Sequence, residues 1–298
     1  MNEIHNNQQT GEQDSGKITL KDKIKKKLQV DENETGLKKI PRWIKLSIIA
    51  VIDIVMIISI ISTVKYTIET KKSENVSEEL IAEVVSTPEP VETETEEISE
   101  PEEEAEEPVK EPPIEVDFDE LQEQNPDAKG WLYSEDTPIN LAVMQSDDNE
   151  YYLFRTFDKE YNGYGTIFMD YRCSGDFSDP VSVIYGHNMN NETMFGTLKY
   201  YREDDYPEQH PVMYLLTPEG NYRLTVVAAT VNSSEVATYT PPVSRETADE
   251  SIPDYISRSE HDFKSEYNPE ANYIILSTCA YDYTAAFLNI VLEMQEIE

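Results

Sequence analysis

A mainly β outer domain, closed barrel or two-sheet sandwich, behind one membrane span and an unfolded acidic stalk, follows from three features of the chain. A 19-residue apolar run stands near the N-terminus, a Pro/Glu-rich stretch without aromatics comes after it, and eight runs of strand length recur beyond Asp117.

Charge is the first constraint on what the chain does. Its 298 residues carry 60 acidic and 24 basic side chains, a formal net charge of −36. Nucleic-acid binders need a basic footprint that displaces phosphate counterions, so that class is excluded. Two cysteines, Cys173 and Cys279, are too few for a disulfide scaffold or a four-cysteine zinc site. The charge is also unevenly placed. Residues 1–45 hold ten Lys/Arg against seven Asp/Glu, whereas 74–120 hold twenty acids and one base, Lys110.

Leu46–Val64 reads LSIIAVIDIVMIISIISTV. At ~1.5 Å rise per residue it reaches roughly 28 Å, close to the hydrocarbon thickness of a bilayer. A 45-residue polar, basic lead with no small-residue cleavage site argues against a removed signal peptide. The absence of periodicity argues against a buried soluble helix. Asp53 is the one acidic residue in the run. Lys23, Lys25, Lys26, Lys27, Lys38, Lys39, Arg42 and Lys45 precede it, so the basic segment 1–45 is expected to stay in the cytoplasm. The remainder then faces outward from the cell membrane.

Residues 65–116 are expected to form a disordered stalk. Pro, Glu, Thr and Ser dominate its greater part, and such a chain buries too little to fold. A tail that binds cations or a basic partner is the other reading of the same acids.

The domain 117–298 opens with an expected helix, capped by Asp117 with Glu120 three residues on and stopped at Asn125-Pro126. Expected strands are 130–134, 139–145, 165–171, 181–187, 212–217, 222–231, 273–279 and 287–294. Pro218-Glu219-Gly220-Asn221 is a turn between two of them. Helical inserts are expected at about Glu192–Tyr201 and Ile252–Phe263, the latter with Pro253 near its start.

His187 ends the apolar run VSVIYGH, and Cys279 ends YIILSTC. Strand ends aim side chains from a rigid base while leaving them open to substrate, as a Cys–His pair requires. The plain reading makes Cys279 a small buried hydrophobe and His187 a hydrogen-bonded loop residue. A Cys173–Cys279 disulfide would abolish the chemistry, and Cys173, in DYRCSGD, is the weaker nucleophile candidate. A papain-like protease lacks its sequence context here and would have the histidine after the cysteine.

Gly165-Thr-Ile-Phe-Met-Asp-Tyr-Arg172, Ile184-Tyr-Gly-His-Asn-Met189 with Met194-Phe195-Gly196, and Leu276-Ser-Thr-Cys279 together resemble the class B sortases. Asn125-Pro-Asp-Ala-Lys-Gly-Trp131, Ile139-Asn140 and Asp148-Asn-Glu-Tyr-Tyr-Leu153 are similar too, so the resemblance spans roughly 117–294. It implies an eight-stranded sortase barrel with an N-terminal helix and a long helix before the cysteine strand. It implies a membrane-anchored cysteine transpeptidase of Gram-positive type that needs no cofactor or metal. Cys279 would be the nucleophile and His187 the general acid/base. Asn140, Met144, Tyr185 and Ser277 fall where the family lines its peptide groove. The implied partners are secreted proteins bearing a signal such as Asn-Pro-x-Thr or Leu-Pro-x-Thr, and a peptidoglycan amine acceptor.

The family also carries an arginine about eight residues after the cysteine. Phe287 stands there, and residues 280–298 contain no Lys or Arg. An arginine from elsewhere, such as Arg172 or Arg223, is one remedy. A degenerate sortase that binds signals or partners without turnover is the alternative function. No EF-hand-type calcium loop is present.

Overall fold

In a computed structural model, residues 41–88, 111–203, 205–233, 244–282 and 286–297 are described. The chain divides into two compact units, Met1–Val64 and Lys65–Glu298. The expectations for residues 1–40 and for the part of the stalk at 89–110 lie outside the described residues.

In the first unit the described residues belong to α1 (Arg42–Val84), whose most apolar window has a mean hydropathy of 2.6 and is unburied. It is long and apolar enough to cross a membrane. Two hydroxyls in the apolar run bond back to their own helix, which satisfies them without water. Ser47 Oγ donates to Trp43 O, and Thr63 Oγ1 to Ser59 O, both at 2.9 Å.

The second unit begins earlier than the composition suggested. Residues 65–84 continue α1 rather than a disordered stalk. Val76, Leu80 and Val84 recur every four residues on one face, with Ile81 beside them, and Leu80 and Val84 are buried in a cluster with Ile114, Leu121 and Trp131. Acidic residues on the other face dominate any window average and hide this stripe. β1 (Val85–Ser86) pairs with β2 (Glu115–Val116), so described residues on both sides of 89–110 join the fold. The folded unit therefore starts at Lys65, not at Asp117.

α2 (Phe118–Gln124) is capped as its sequence signals: the Asp117 carboxylate accepts from Glu120 N at 3.0 Å, and Asn125 closes the helix. The eight expected strands then appear as β3 (Ala128–Tyr133), β4 (Asn140–Met144), β5 (Phe168–Met169), β6 (Val181–Tyr185), β7 (Val212–Leu216), β8 (Asn221–Ser233), β9 (Asn272–Ala280) and β10 (Ala286–Ile297). They close into a barrel in the order β10-β8-β7-β3-β4-β5-β6-β9, with β9 pairing back to β10. Closure leaves no open edge and settles barrel over sandwich.

Strand alternation sorts the residues of β9. Ile274 and Leu276 point into the barrel with Ile184, Leu288 and Ile290, while Tyr273 and Ile275 lie outside beneath a helix. That helix, α4 (Arg245–Ser257), begins seven residues before its expected start. Ser244 caps it through a reciprocal box with Thr247, and Ala248 and Ile252 are its buried positions. Pro253 sits inside it, and Phe263 lies beyond its end.

The other expected insert is mostly not helical. Glu192 and Met194 have φ of 66° and 52°, and a Cβ at Gly196 would meet Met189 O at 2.4 Å. Only the 3-10 turn Leu198–Arg202 forms, followed by the short α3 (Asp205–Gln209).

Candidate active site at the ends of β6 and β9

β6 and β9 run parallel, with Tyr185 opposite Ser277. The register carries on past the end of β6: Gly186 N donates to Ser277 O at 3.1 Å, and Asn188 Nδ2 to Cys279 O at 2.8 Å. His187 lies between these two ties and so at the level of Cys279. Gly186 is required there, because a Cβ would stand 2.6 Å from the Phe195 ring. Phe195 N in turn donates to His187 O at 3.1 Å, closing the loop on itself.

The His187 ring is oriented by the backbone. Its Nε2 lies 2.9 Å from Leu153 O, and a carbonyl only accepts, so Nε2 carries the hydrogen. In the neutral ring the basic nitrogen is then Nδ1. Leu153 belongs to a 3-10 turn (Tyr152–Phe154), and the Phe154 ring lies 6.3 Å from the imidazole.

Cys279 is free and exposed, on the outer face of the barrel by its strand parity with Tyr273 and Ile275. Partial burial pushes its thiol above the ordinary value, and no cation offsets that. Phe287 is its register partner on β10. Cys173 is also free but buried, and burial pushes its thiol up to about 12. The disulfide is therefore not formed, and Cys173 is the inert cysteine of the two.

Cys279 is one of the residues that line a cavity of about 260 Å³, together with Asn188, Lys199, Arg202, Tyr281 and Asp282. Arg202 was not singled out by its sequence context, a polar turn rich in tyrosine. Its Nε donates to Glu260 Oε2 at 2.6 Å and its Nη2 to Asp282 Oδ1 at 2.7 Å. Arg172 and Arg223 do not line this cavity. Arg172 is bound to Asp170, and Arg223 Nη1 donates to Thr225 Oγ1 at 3.0 Å.

The four expected groove residues do not converge on that cavity. Met144 is fully buried among Trp131, Tyr152 and Phe168, so its side chain is core. Ser277 is buried two residues before Cys279. Asn140 Oδ1 accepts from Trp131 Nε1 at 2.7 Å, which pins the β3–β4 pair. Tyr185 shares the outer face with Cys279, and its hydroxyl donates to Asp170 Oδ2 at 2.8 Å.

Asp170 is a second residue the sequence reading passed over. It is fully buried. Its carboxylate also accepts from Arg172 Nε and Nη2 at 2.8 and 2.7 Å, and from Asn149 Nδ2 at 2.9 Å. Burial alone would raise its pKa, but the Arg172, Tyr185 and Asn149 hydrogen bonds hold it below the ordinary value. The D-x-R spacing in FMDYR was the available signal.

No family model matches the chain. It is 38% identical over 109 residues to sortase B of Listeria monocytogenes, covering 37% of this chain and 44% of that protein. It is 32% identical over 112 residues to sortase B of Staphylococcus aureus, covering 38% and 46%. The chain thus spans under half the length of the curated relatives it matches. The structure of a Staphylococcus aureus sortase B–substrate complex superposes with a TM-score of 0.56 at 25% identity, covering 61% of this chain and 85% of that one. In its closed eight-stranded barrel and in these sequence matches, the chain is similar to the class B sortases.

Proposed function

We propose that the chain is a membrane-anchored cysteine transpeptidase that cleaves a sorting signal and passes the acyl product to an amine. The observation that carries this is the exposed, free Cys279 at the end of β9, level with a histidine whose Nε2 is held by a backbone carbonyl. That arrangement leaves Nδ1 of His187 to take the thiol proton, while Leu153 O steadies the imidazolium that results. Cys279 Sγ then attacks the carbonyl of the signal's threonine. His187 returns the proton to the departing amine, leaving a thioacyl enzyme. An incoming amine, of peptidoglycan in this reading, loses its proton to His187 and releases Sγ.

The donor is a secreted protein bearing an Asn-Pro-x-Thr or Leu-Pro-x-Thr type signal. Lysines and Arg42 ahead of the apolar run support an N-terminus in the cytoplasm and a barrel outside the cell. Tyr185, on the same outer face as Cys279, is the member of the expected groove set best placed to meet the peptide.

A second reading, a binding protein without turnover, is favoured by one observation: Phe287, not a cation, stands across from Cys279. Incubating residues 65–298 with fluorogenic signal peptides and hydroxylamine separates the two. The transpeptidase reading expects cleavage that disappears in Cys279→Ala. Equal inertness of both proteins, with peptide still bound, sinks it.

A further inference from the structure

The His187 imidazole takes its orientation from Leu153 O, 2.9 Å from Nε2, so whatever holds that carbonyl holds the ring. Resting on the transpeptidase reading, in which His187 moves the protons, we propose that Asn162 is a positioning residue. It joins α1 to the turn that supports Leu153 O, and the docked helix thereby keeps Nδ1 of His187 as the basic nitrogen.

Asn162 is fully buried. Its N–H donates to Phe154 O at 3.0 Å, directly after Leu153, and its carbonyl accepts from Gly165 N at 3.1 Å. Its Oδ1 accepts from Tyr164 N at 2.9 Å. The amide nitrogen is left to donate, and its acceptor is the Glu69 carbonyl of α1, 3.0 Å from Nδ2. A buried amide that loses such a partner is left unsatisfied, so release of α1 disturbs Asn162 first.

The turn that Asn162 opens lies directly on the Leu153 carbonyl. Gly165 has a φ of 57°, and a Cβ there would meet Leu153 O at 2.5 Å. Thr166 N donates to Tyr152 O at 3.1 Å, so residues 162–166 grip the chain on both sides of Leu153. A shift of this turn toward or away from α1 therefore moves Leu153 O, and with it the partner of Nε2.

α1 holds the same neighbourhood at further points. Tyr164 Oη meets Thr70 Oγ1, and Lys72 Nζ lies 3.6 Å from Glu160 Oε2. Asn191 Nδ2 donates to Glu74 Oε1 at 3.2 Å, and Asn191 belongs to the loop that Phe195 N closes onto His187 O. A cavity of about 210 Å³ lies among these contacts, with Thr70, Ser73, Glu74, Ser77, Tyr164 and Met194 in its walls. The stretch 69–74 thus meets its neighbours largely through polar contacts beside a void, whereas Leu80 and Val84 sit in a packed apolar cluster. The first stretch can release while the second stays docked.

The test uses the full chain in detergent micelles, isotope-labelled at its histidine nitrogens, with fluorogenic Asn-Pro-x-Thr and Leu-Pro-x-Thr peptides for the kinetics. Wild type is expected to show one His187 tautomer, protonated at Nε2, where the ring is neutral. Asn162→Ala is expected to lower kcat about tenfold while KM changes less than about threefold, and to show both tautomers. Should it fail to fold, Thr70→Val and Tyr164→Phe remove one hydroxyl each from the same joint. Each is then expected to lose about threefold in kcat, with the same mixture of tautomers. Wild-type kcat in a folded Asn162→Ala, or in both hydroxyl variants where that protein does not fold, overturns the assignment. A slow variant that keeps a single tautomer reduces Asn162 to a structural residue and overturns it too. A wild-type chain that forms no thioacyl adduct by mass spectrometry overturns the transpeptidase reading instead. In that case mixed tautomers in the variants sustain the positioning of the ring, and a single tautomer overturns it.

Discussion

Asn188 Nδ2 donates a 2.8 Å hydrogen bond to the carbonyl of Cys279. The residue after the candidate base is thereby tied to the backbone of the candidate nucleophile, extending the parallel β6–β9 pairing past the end of β6. A neutral hydrogen bond of this kind contributes about 1 kcal/mol to stability, while its geometric role is larger. Asn188→Ala is expected to lower kcat about tenfold with a stability loss under about 1 kcal/mol. Parallel losses in urea midpoint and kcat would instead make it an ordinary loop bond.

The two thiols are expected to react very differently. Cys279 is exposed, with a thiol above the ordinary value of 9.0, whereas Cys173 is buried and pushed up to about 12. Thiolate is the alkylating species, so iodoacetamide labelling of the resting protein should rise with pH and bend above pH 9. Peptide mapping should find the label on Cys279 alone. Rapid labelling at pH 7 would mean that the thiolate is already formed without substrate.

Much of this was readable from the residues, and the failures have physical causes. Each barrel strand announced itself through an apolar run, and Asp117 with Glu120 marked a helix start correctly. The stalk was misjudged at its described start, residues 65–84, because Leu80 and Val84 are a sparse apolar face among many acids; a composition window sees the acids, while the fold uses the face. The turn before Arg202 was misjudged because Met194, Leu198 and Tyr201 keep helical spacing but Glu192 and Met194 adopt positive φ. Arg202 itself carried no local signal, since its partners Asp282 and Glu260 are remote in sequence.

Asp170 ties acid stability to the neighbourhood of Tyr185. Its folded pKa lies below the ordinary 3.8, so the folded chain binds fewer protons than the unfolded one as pH falls. The stabilisation is present above about pH 4 and is lost as pH drops through the folded value. Asp170→Asn should therefore be less stable at pH 7 by about 1–3 kcal/mol, a range lowered because Arg172 is partly exposed. Its unfolding midpoint should also vary less between pH 5 and pH 2 than that of wild type. Urea titrations at several pH values check both; identical slopes would remove Asp170 from the acid transition.

The end of α1 is expected to belong to the folded unit energetically as well as geometrically. Leu80 is 6% exposed in the cluster with Ile114, Leu121 and Trp131. Truncating such a side chain typically costs 2–5 kcal/mol, so Leu80→Ala in residues 65–298 should lose about 2 kcal/mol or more. A chain starting at Asp117 should unfold at markedly lower urea than one starting at Lys65. Equal midpoints would return residues 65–84 to the role of a passive tether.

Phe287 offers the most direct perturbation of the nucleophile. It stands opposite Cys279 in the antiparallel β9–β10 register, and directly paired side chains project from one face about 5 Å apart at Cβ. Nothing there now favours the thiolate, which is why burial alone sets the thiol's upward shift. A guanidinium within about 4–6 Å favours the charged form by about one pKa unit or more. Phe287→Arg is accordingly expected to move the bend in the alkylation profile of Cys279 down by at least one pH unit. Peptide cleavage near pH 7 should rise in the same protein, because a larger fraction of the thiol is then ionised. If the alkylation bend moves and cleavage does not, ionisation of Cys279 is not what limits turnover. A bend that stays in place shows that the new side chain turns to Asp282 or Glu260 instead, and Phe287 then has no bearing on the nucleophile.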